Sequence, residues 1–188
     1  SRWPGCRSTC SATDTQIFER AAFKSLKPAR AGVVTIGRME KLLTSLADQI
    51  GAARADRSVL RIRGGGSKDF YGEQLDGRIL DTRGLNGICS YEPSELVVTV
   101  LSGTPLADLE DLLARHGQHL AFEPPHFGAG ATVGGMVAAG LSGPARVGAG
   151  AVRDHVLGVQ MLNGKAQLLR FGGQVMKNVA GYDVSRLM

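Results

Sequence analysis

The chain has 188 residues, of which 43% are hydrophobic, 21% charged and 26 are glycine. That length suits one domain or two small lobes around a core, and a glycine excess without a collagen-like period marks tight turns or close backbone approach to a ligand. The formal charge of +5 comes from residues 1–38, with seven Lys/Arg against Asp14 and Glu19, while residues 39–188 hold fifteen of each sign. The body therefore lacks the basic excess of a nucleic-acid binder.

Residues 1–38 lack strand alternation and a sustained helical stripe, and are expected to be a disordered leader: upstream translated sequence, a tag scar or a weak presequence. Met39 is then the natural start. Cys6 and Cys10 lie in this leader without a second ligand pair, so no metal site is expected there. The lone Cys89 points to a reducing, cytoplasmic compartment. No apolar run in the sequence is long enough to span a bilayer as a helix.

From Met39, the positions Leu42, Leu43, Leu46, Ile50 and Ala53 recur at helical spacing. Residues 59–63 then read as a strand that runs into Gly64, Gly65, Gly66 and Ser67. Residues 79–82 form a second short strand, and residues 96–100 a β-branched run typical of a buried one. Thr104 and Pro105 look like an N-cap followed by proline at the first helical position, opening a helix through Leu106, Leu109, Leu112 and Leu113 that stops near Gly117. Residues 128–150 are dominated by glycine and alanine, with Thr132, Val133, Gly134 and Gly135 at the centre. Residues 156–162 and 165–171 are expected as strands joined by Asn163-Gly164, a two-residue hairpin signal. The end of the chain reads as part of another helix. The order is α+β rather than a regular α/β alternation.

Three consecutive glycines after a strand expose backbone N–H groups and form an anion-binding concavity. Arg63 adds charge beside it and Ser67 a hydroxyl. The second cluster opens a short helix, whose N-terminus favours phosphate. Either cluster alone reads more simply as a turn; two of this density favour a pair of loops that clasp a diphosphate. The usual nucleotide fingerprints fail. Gly148-x-Gly150 lacks its third glycine, since Arg153 stands there, and the first loop has no helix at Rossmann distance. Gly164-Lys165 has the wrong spacing for a P-loop, and no Gly-x-Ser-x-Gly elbow is present. His116, His119, His126 and His155 form no metal motif; the last two, near the second cluster, read as local hydrogen-bond partners.

These residues resemble a known family. Arg63-Gly-Gly-Gly-Ser67, Pro124-Pro125, Thr132-Val-Gly-Gly-Met136 and Arg153-Asp-His-Val-Leu-Gly158 look like the FAD-binding domain of the p-cresol methylhydroxylase and vanillyl-alcohol oxidase type. Tyr91-Glu-Pro-Ser-Glu-Leu-Val-Val98, Gly103-Thr-Pro-Leu106, Gly134-Gly-Met-Val-Ala138, Gly140-Leu-Ser-Gly-Pro144 and residues 171–183 are similar, within that superfamily, to the smaller FAD-binding subunits of bacterial glycolate oxidases. The resemblance covers about residues 39–188.

It implies an α+β domain with FAD between two lobes, about residues 39–103 and 104–188, incomplete at the C-terminus because family members continue past Met188. Gly64, Gly65, Gly66 and Ser67, beside Arg63, would form the first diphosphate loop. Pro125, Thr132, Val133, Gly134, Gly135 and Met136 would line the other side of the flavin, with Ala138, Ala139 and Gly140 letting a helix backbone approach. Some relatives attach FAD through a histidine at the place of Ser67, so non-covalent FAD is implied here. Asn178, Tyr182 and Asp183 are read as fixing a turn. No catalytic residue is assigned. The resemblance also implies a small 2-hydroxy acid substrate, a larger FAD-containing subunit and an iron–sulfur subunit, with peripheral attachment to the inner membrane through those partners. The residues themselves leave open a non-catalytic electron-relay subunit and a non-flavin nucleotide-binding module, and Arg63 and Arg153 read equally as anion contacts or as salt-bridge partners.

Overall fold

The structure is a computed structural model that describes residues 36–73 and 76–172, all within one compact unit. Residues 1–35, Asn178, Tyr182, Asp183 and the helix expected at the end of the chain lie outside the described residues.

Helix α1 (Ile36–Asp56) carries Leu46 and Ala53 on its buried face, seven residues apart and so on one stripe. It begins three residues before Met39; the residues ahead of Met39 are Gly37 and Arg38, neither a strong capping side chain, so nothing local sets the start at Met39. Strand β1 (Leu60–Arg63) pairs in parallel with β2 (Arg78–Asp81), in register from Leu60 opposite Arg78 to Arg63 opposite Asp81. The connection between them, residues 64–77, holds the first glycine cluster. Leu42 of α1 lies so close to Gly84 that a Cβ there would stand 3.2 Å from its Cδ2, and Arg78 donates to the Gln49 carbonyl at 3.4 Å, which seats α1 beside β2.

Strands β3 (Ile88–Glu92) and β4 (Val97–Val100) form an antiparallel pair with an irregularity between Ile88 and Ser90. Strand β3 was not expected from the sequence, because Ile88-Cys89-Ser90-Tyr91-Glu92 has little β-branched content. Strand β4 is half-buried rather than buried: one face of the pair packs on the core and the other meets water, as antiparallel sheets permit. Leu96, expected as its first residue, instead sits in the preceding turn at φ 57°.

Helix α2 (Leu106–Ala114) supplies the centre of the core. Its Leu106, Leu109 and Leu113 recur at helical spacing and are buried against Phe122, Ala131, Val133, Met136 and Val152, with Tyr91, Val98 and Val100 from the β3–β4 sheet packed alongside. The expected cap at Thr104 is corrected. Pro105 occupies the cap position with no side-chain hydrogen bond, and the Thr104 hydroxyl accepts from the Gly87 N–H at 2.9 Å and donates to the Gly87 carbonyl at 3.1 Å. A buried hydroxyl needs partners, and Gly87 supplies both. The first amide of the helix, Leu106 N–H, donates instead to Ala131 O at 2.8 Å.

Helix α3 (Val133–Ala139) follows, then two single turns, α4 (Arg146–Ala149) and α5 (Val152–His155). Strands β5 (Gly158–Leu162) and β6 (Leu168–Gly172) close the described residues as an antiparallel hairpin. Its turn is longer than Asn163-Gly164 alone suggests. Asn163 N–H donates to Gln167 O, the Asn163 carboxamide oxygen accepts from Lys165 N–H and Gln167 N–H, and Ala166 takes φ 60°. This is a three-residue loop closed by a left-handed residue, fixed by the asparagine side chain rather than by a glycine at positive φ. Short strands and helices in mixed order make the fold α+β, as the sequence predicts.

Candidate functional site

Strand β1 delivers the chain into the first glycine cluster. Arg63 O accepts from Thr82 N–H at 3.0 Å, which is the last rung holding the cluster to β2. The chain then turns at Gly66, whose φ of 75° is the left-handed region that glycine adopts without strain, and Gly66 O accepts from Asp69 N–H at 3.1 Å. Gly64 and Gly65 press against the second cluster. A Cβ on Gly64 would stand 2.7 Å from Thr132 Oγ1, one on Gly65 would overlap the Gly130 carbonyl oxygen, and one on Gly130 would stand 2.6 Å from Gly65 O. These glycines are needed because two loops touch backbone to backbone.

The consequence for hydrogen bonding is asymmetric. Among the described residues, the backbone N–H groups of Gly64, Gly65, Gly66 and Ser67 donate to no protein acceptor. They border an open hollow of about 190 Å³ whose wall also includes Arg61, Arg63, Lys68, Asp69 and Thr132. In the second cluster every early amide is used. Val133 N–H donates to Thr104 O at 2.9 Å, Gly134 N–H to Ser102 O at 2.7 Å, Gly135 N–H to Thr132 Oγ1 at 3.2 Å and Met136 N–H to Thr132 O at 2.9 Å. Thr132 is thus the N-cap of α3, with the extended backbone such a cap requires.

Of the residues singled out in the sequence, the structure gathers Arg63, Gly64, Gly65, Gly66, Ser67 and Thr132 around the hollow. It does not bring the rest there. Val133 and Met136 point into the core. Gly134 lies where a Cβ would stand 2.7 Å from Ser102 Cβ. Gly135 sits over the Thr132 cap. Pro125 is half-buried in the preceding segment, and Ala139 is half-buried at the end of α3. Gly140 caps α3 at φ 61°, donating back to Met136 O and Val137 O.

Charges around the hollow are largely compensated. Asp69 takes Arg63 at 2.7 Å through Nη2 and 2.8 Å through Nε, and Arg61 at 3.0 Å. The Arg63 hydrogen bond holds the Asp69 carboxyl below the usual range, and the same bond raises the Arg63 guanidinium. That guanidinium lies under the loop, where a Cβ on Gly66 would overlap its Nη2. Arg63 therefore braces the turn with its charge already matched.

Lys68 is different, and the sequence reading did not single it out. Its ammonium is shut away from solvent without a hydrogen-bond acceptor among the described residues, 5.8 Å from the centre of the Phe127 ring, and burial lowers its pKa. Phe127, at φ 53°, meets the Phe70 ring edge-on at 5.3 Å. The available signal was position alone: a lysine immediately after a glycine turn. His126 is held by Glu110 at 2.8 Å, and His155 by Ala149 O at 3.0 Å, so both are local hydrogen-bond partners. Burial pushes the Cys89 thiol up, which leaves it a poor nucleophile. Among the described residues no helix is long and apolar enough to cross a membrane.

A row of four amides without protein acceptors among the described residues is a donor set for an anion with several oxygens. The chain is 52% identical over 144 residues to glycolate oxidase subunit GlcE of Escherichia coli, covering 77% of this chain and 41% of that protein. It is 32% identical over 130 residues to D-lactate dehydrogenase of Archaeoglobus fulgidus, covering 68% of this chain and 28% of that one. The chain thus spans less than half the length of these relatives. Among solved structures, alkyldihydroxyacetonephosphate synthase shares the fold with a TM-score of 0.58 at 19% identity, over 77% of this chain and 26% of that one. The family model described as FAD binding domain matches residues 43–172, and the chain belongs to that family.

Proposed function

We propose that this chain holds FAD non-covalently as part of a subunit of a glycolate, or closely related 2-hydroxy acid, oxidase or dehydrogenase complex. The observation that carries the FAD site is the row of amides at Gly64, Gly65, Gly66 and Ser67, without protein acceptors among the described residues, beside a hollow whose wall includes Thr132. Those amides would donate to the diphosphate oxygens, and Arg63 would keep the turn in shape from below. Thr132 sets the spacing between the two loops. Pro125, Ala139 and Gly140 would border the flavin on the far side, while Val133, Gly134, Gly135 and Met136 act indirectly by fixing that wall to the core. Ser67 has no imidazole to form a covalent flavin link, which supports a non-covalent cofactor.

The substrate class rests on the glycolate oxidase subunit and the D-lactate dehydrogenase to which the chain is similar. When bound, FAD would supply the acceptor for the hydride equivalent released as the 2-hydroxy acid becomes the 2-oxo acid, and this chain's residues would hold and orient it. No residue of this chain is assigned as a catalytic base. The domain would comprise residues 39–188 together with the first turn of α1 from Ile36, with lobes at about 39–103 and 104–188. A larger FAD-containing subunit and an iron–sulfur subunit would complete the complex in the cytoplasm, attached to the inner membrane through those partners. The three cysteines here form no iron–sulfur motif.

The test is an absorbance spectrum of the chain after incubation with FAD and desalting. Flavin bands that persist, and that pass into the supernatant on acid precipitation, support a non-covalent FAD site. A colourless protein, both alone and when assembled with its partner subunits, would defeat the proposal. Anaerobic glycolate that bleaches the bands places substrate oxidation at this flavin; bleaching only after the larger subunit is added assigns this chain the electron-relay role.

A further inference from the structure

Four features meet at the first loop. The loop amides of Gly64, Gly65, Gly66 and Ser67 have no protein acceptor among the described residues. Three cations line the hollow beside them: Arg61, Arg63 and Lys68. Two of the three share the Asp69 carboxylate at 2.7–3.0 Å. Lys68 alone has no acceptor for its ammonium. Burying an unpaired ammonium is costly unless something compensates it. The Phe127 ring 5.8 Å away offers only a weak attraction at that distance. Burial also lowers the Lys68 pKa, with no other cause acting on it. A side chain with four rotatable bonds would ordinarily escape such a place by extending into water.

We propose that Lys68 is the charge-supplying residue of the anion site: its ammonium rests beneath Phe127 in the ligand-free chain and moves to the diphosphate when an anion settles on the loop amides. This rests on the FAD reading for the identity of the ligand, though not for the existence of the site. Amides alone neutralise none of the diphosphate charge. Arg61 and Arg63 cannot serve without first leaving Asp69. The Lys68 stem borders the hollow, so a rotation at its outer bonds carries the ammonium the required few ångströms. A charge-assisted hydrogen bond then replaces a desolvated, unpaired position, which makes ligand binding and relief of an internal cost the same event. Lys68 is a ligand-binding residue in this account and takes no part in flavin chemistry.

The experiment compares the full chain with Lys68→Met and Lys68→Arg. Fluorescence titration gives Kd for FAD and for riboflavin, which has no phosphate; calorimetry gives Kd for inorganic pyrophosphate; thermal unfolding gives Tm without ligand. Charge-assisted hydrogen bonds are worth roughly 1.5–3 kcal/mol, so Lys68→Met should weaken FAD and pyrophosphate by about ten- to a hundred-fold and leave riboflavin unchanged. Lys68→Arg should recover part of the loss. The ligand-free Tm of Lys68→Met should equal or exceed that of the parent, since an unpaired buried charge has been removed. Unchanged FAD affinity in Lys68→Met would overturn the inference while leaving the FAD reading intact. Equal weakening of FAD and riboflavin with a lowered Tm would also overturn it, showing Lys68 to be a strut under Phe127. If the chain binds no flavin yet binds pyrophosphate in a Lys68-dependent way, the inference stands and the FAD reading falls. Binding of neither flavin nor pyrophosphate removes both.

Discussion

The two glycine-rich segments look alike in sequence and do different things. At residues 64–67 the backbone is held by Arg63 and by contact with Gly130 and Thr132, and among the described residues its N–H groups have no protein acceptor. At residues 132–136 the same chemistry is turned inward. Each early amide of α3 is committed to Ser102, Thr104 or Thr132, and the side chains of Val133 and Met136 fill the core. Both clusters mark close backbone approach, Gly64 and Gly65 to Gly130 and Thr132 and Gly134 to Ser102, but among the described residues the first leaves its amides without acceptors while the second spends its own. The second segment builds the platform on which the first is displayed.

That division predicts large stability effects for the residues of the second segment that fill the core or spend its amides, and a small one for the Ser67 side chain in the first, with ligand affinity following the reverse order. Met136→Ala removes a buried side chain from the core cluster, and chemical denaturation should show a loss of about 2–5 kcal/mol. Gly134→Ala places a methyl group 2.7 Å from Ser102 Cβ and 2.8 Å from Ser102 O. It should cost about 1–3 kcal/mol, read by the same titration; a neutral result would mean that the segments part without penalty. Thr132→Val keeps the shape but deletes the acceptor of Gly135 N–H, for about 1 kcal/mol of lost stability. Ser67→Ala, in the first loop, should stay within about 0.5 kcal/mol of the parent, and a larger change would blur the contrast. The acid response is also small. Hydrogen bonds from the Arg83 side chain hold the Asp81 carboxyl down, at about 2 instead of the ordinary 3.8. A depressed carboxyl stabilises the fold above its unfolded pKa and loses that contribution as pH falls through the folded value. Both side chains are well exposed, so the term is below about 1 kcal/mol. Asp81→Asn should flatten the dependence of Tm on pH between about 4 and 2.

Much of the fold was legible where a signal is local. The leucines of α2 recur at helical spacing and bury as that spacing requires. The strand before Gly64, Leu-Arg-Ile-Arg, forms where the sequence placed it, although Ile62 is exposed. Where the controlling partner lies elsewhere in the chain, local reading misleads. Thr104 has the composition of a cap, yet Gly87, seventeen residues away, claims its hydroxyl. Strand β3 has weak intrinsic preference and exists because β4 pairs with it. At the site, the sequence pointed to both glycine clusters and to Arg63, but not to Lys68, since nothing in a lysine's neighbours along the chain reports that its ammonium will be left without an acceptor.

By itself the sequence determined the α+β class, the helical periodicities, the position of the backbone turns and, through its contiguous motifs, membership of the FAD-binding family, because each of these is written in short-range spacing or in residue identity. Only the tertiary structure decided which amides remain free, which arginine is already paired and which cation is left over. Hydrogen-bond partners and burial depend on how the chain folds back on itself: Ser102 and Thr104 reach α3 and Phe127 comes to cover Lys68 from dozens of residues away, while Asp69 turns back to two strand arginines.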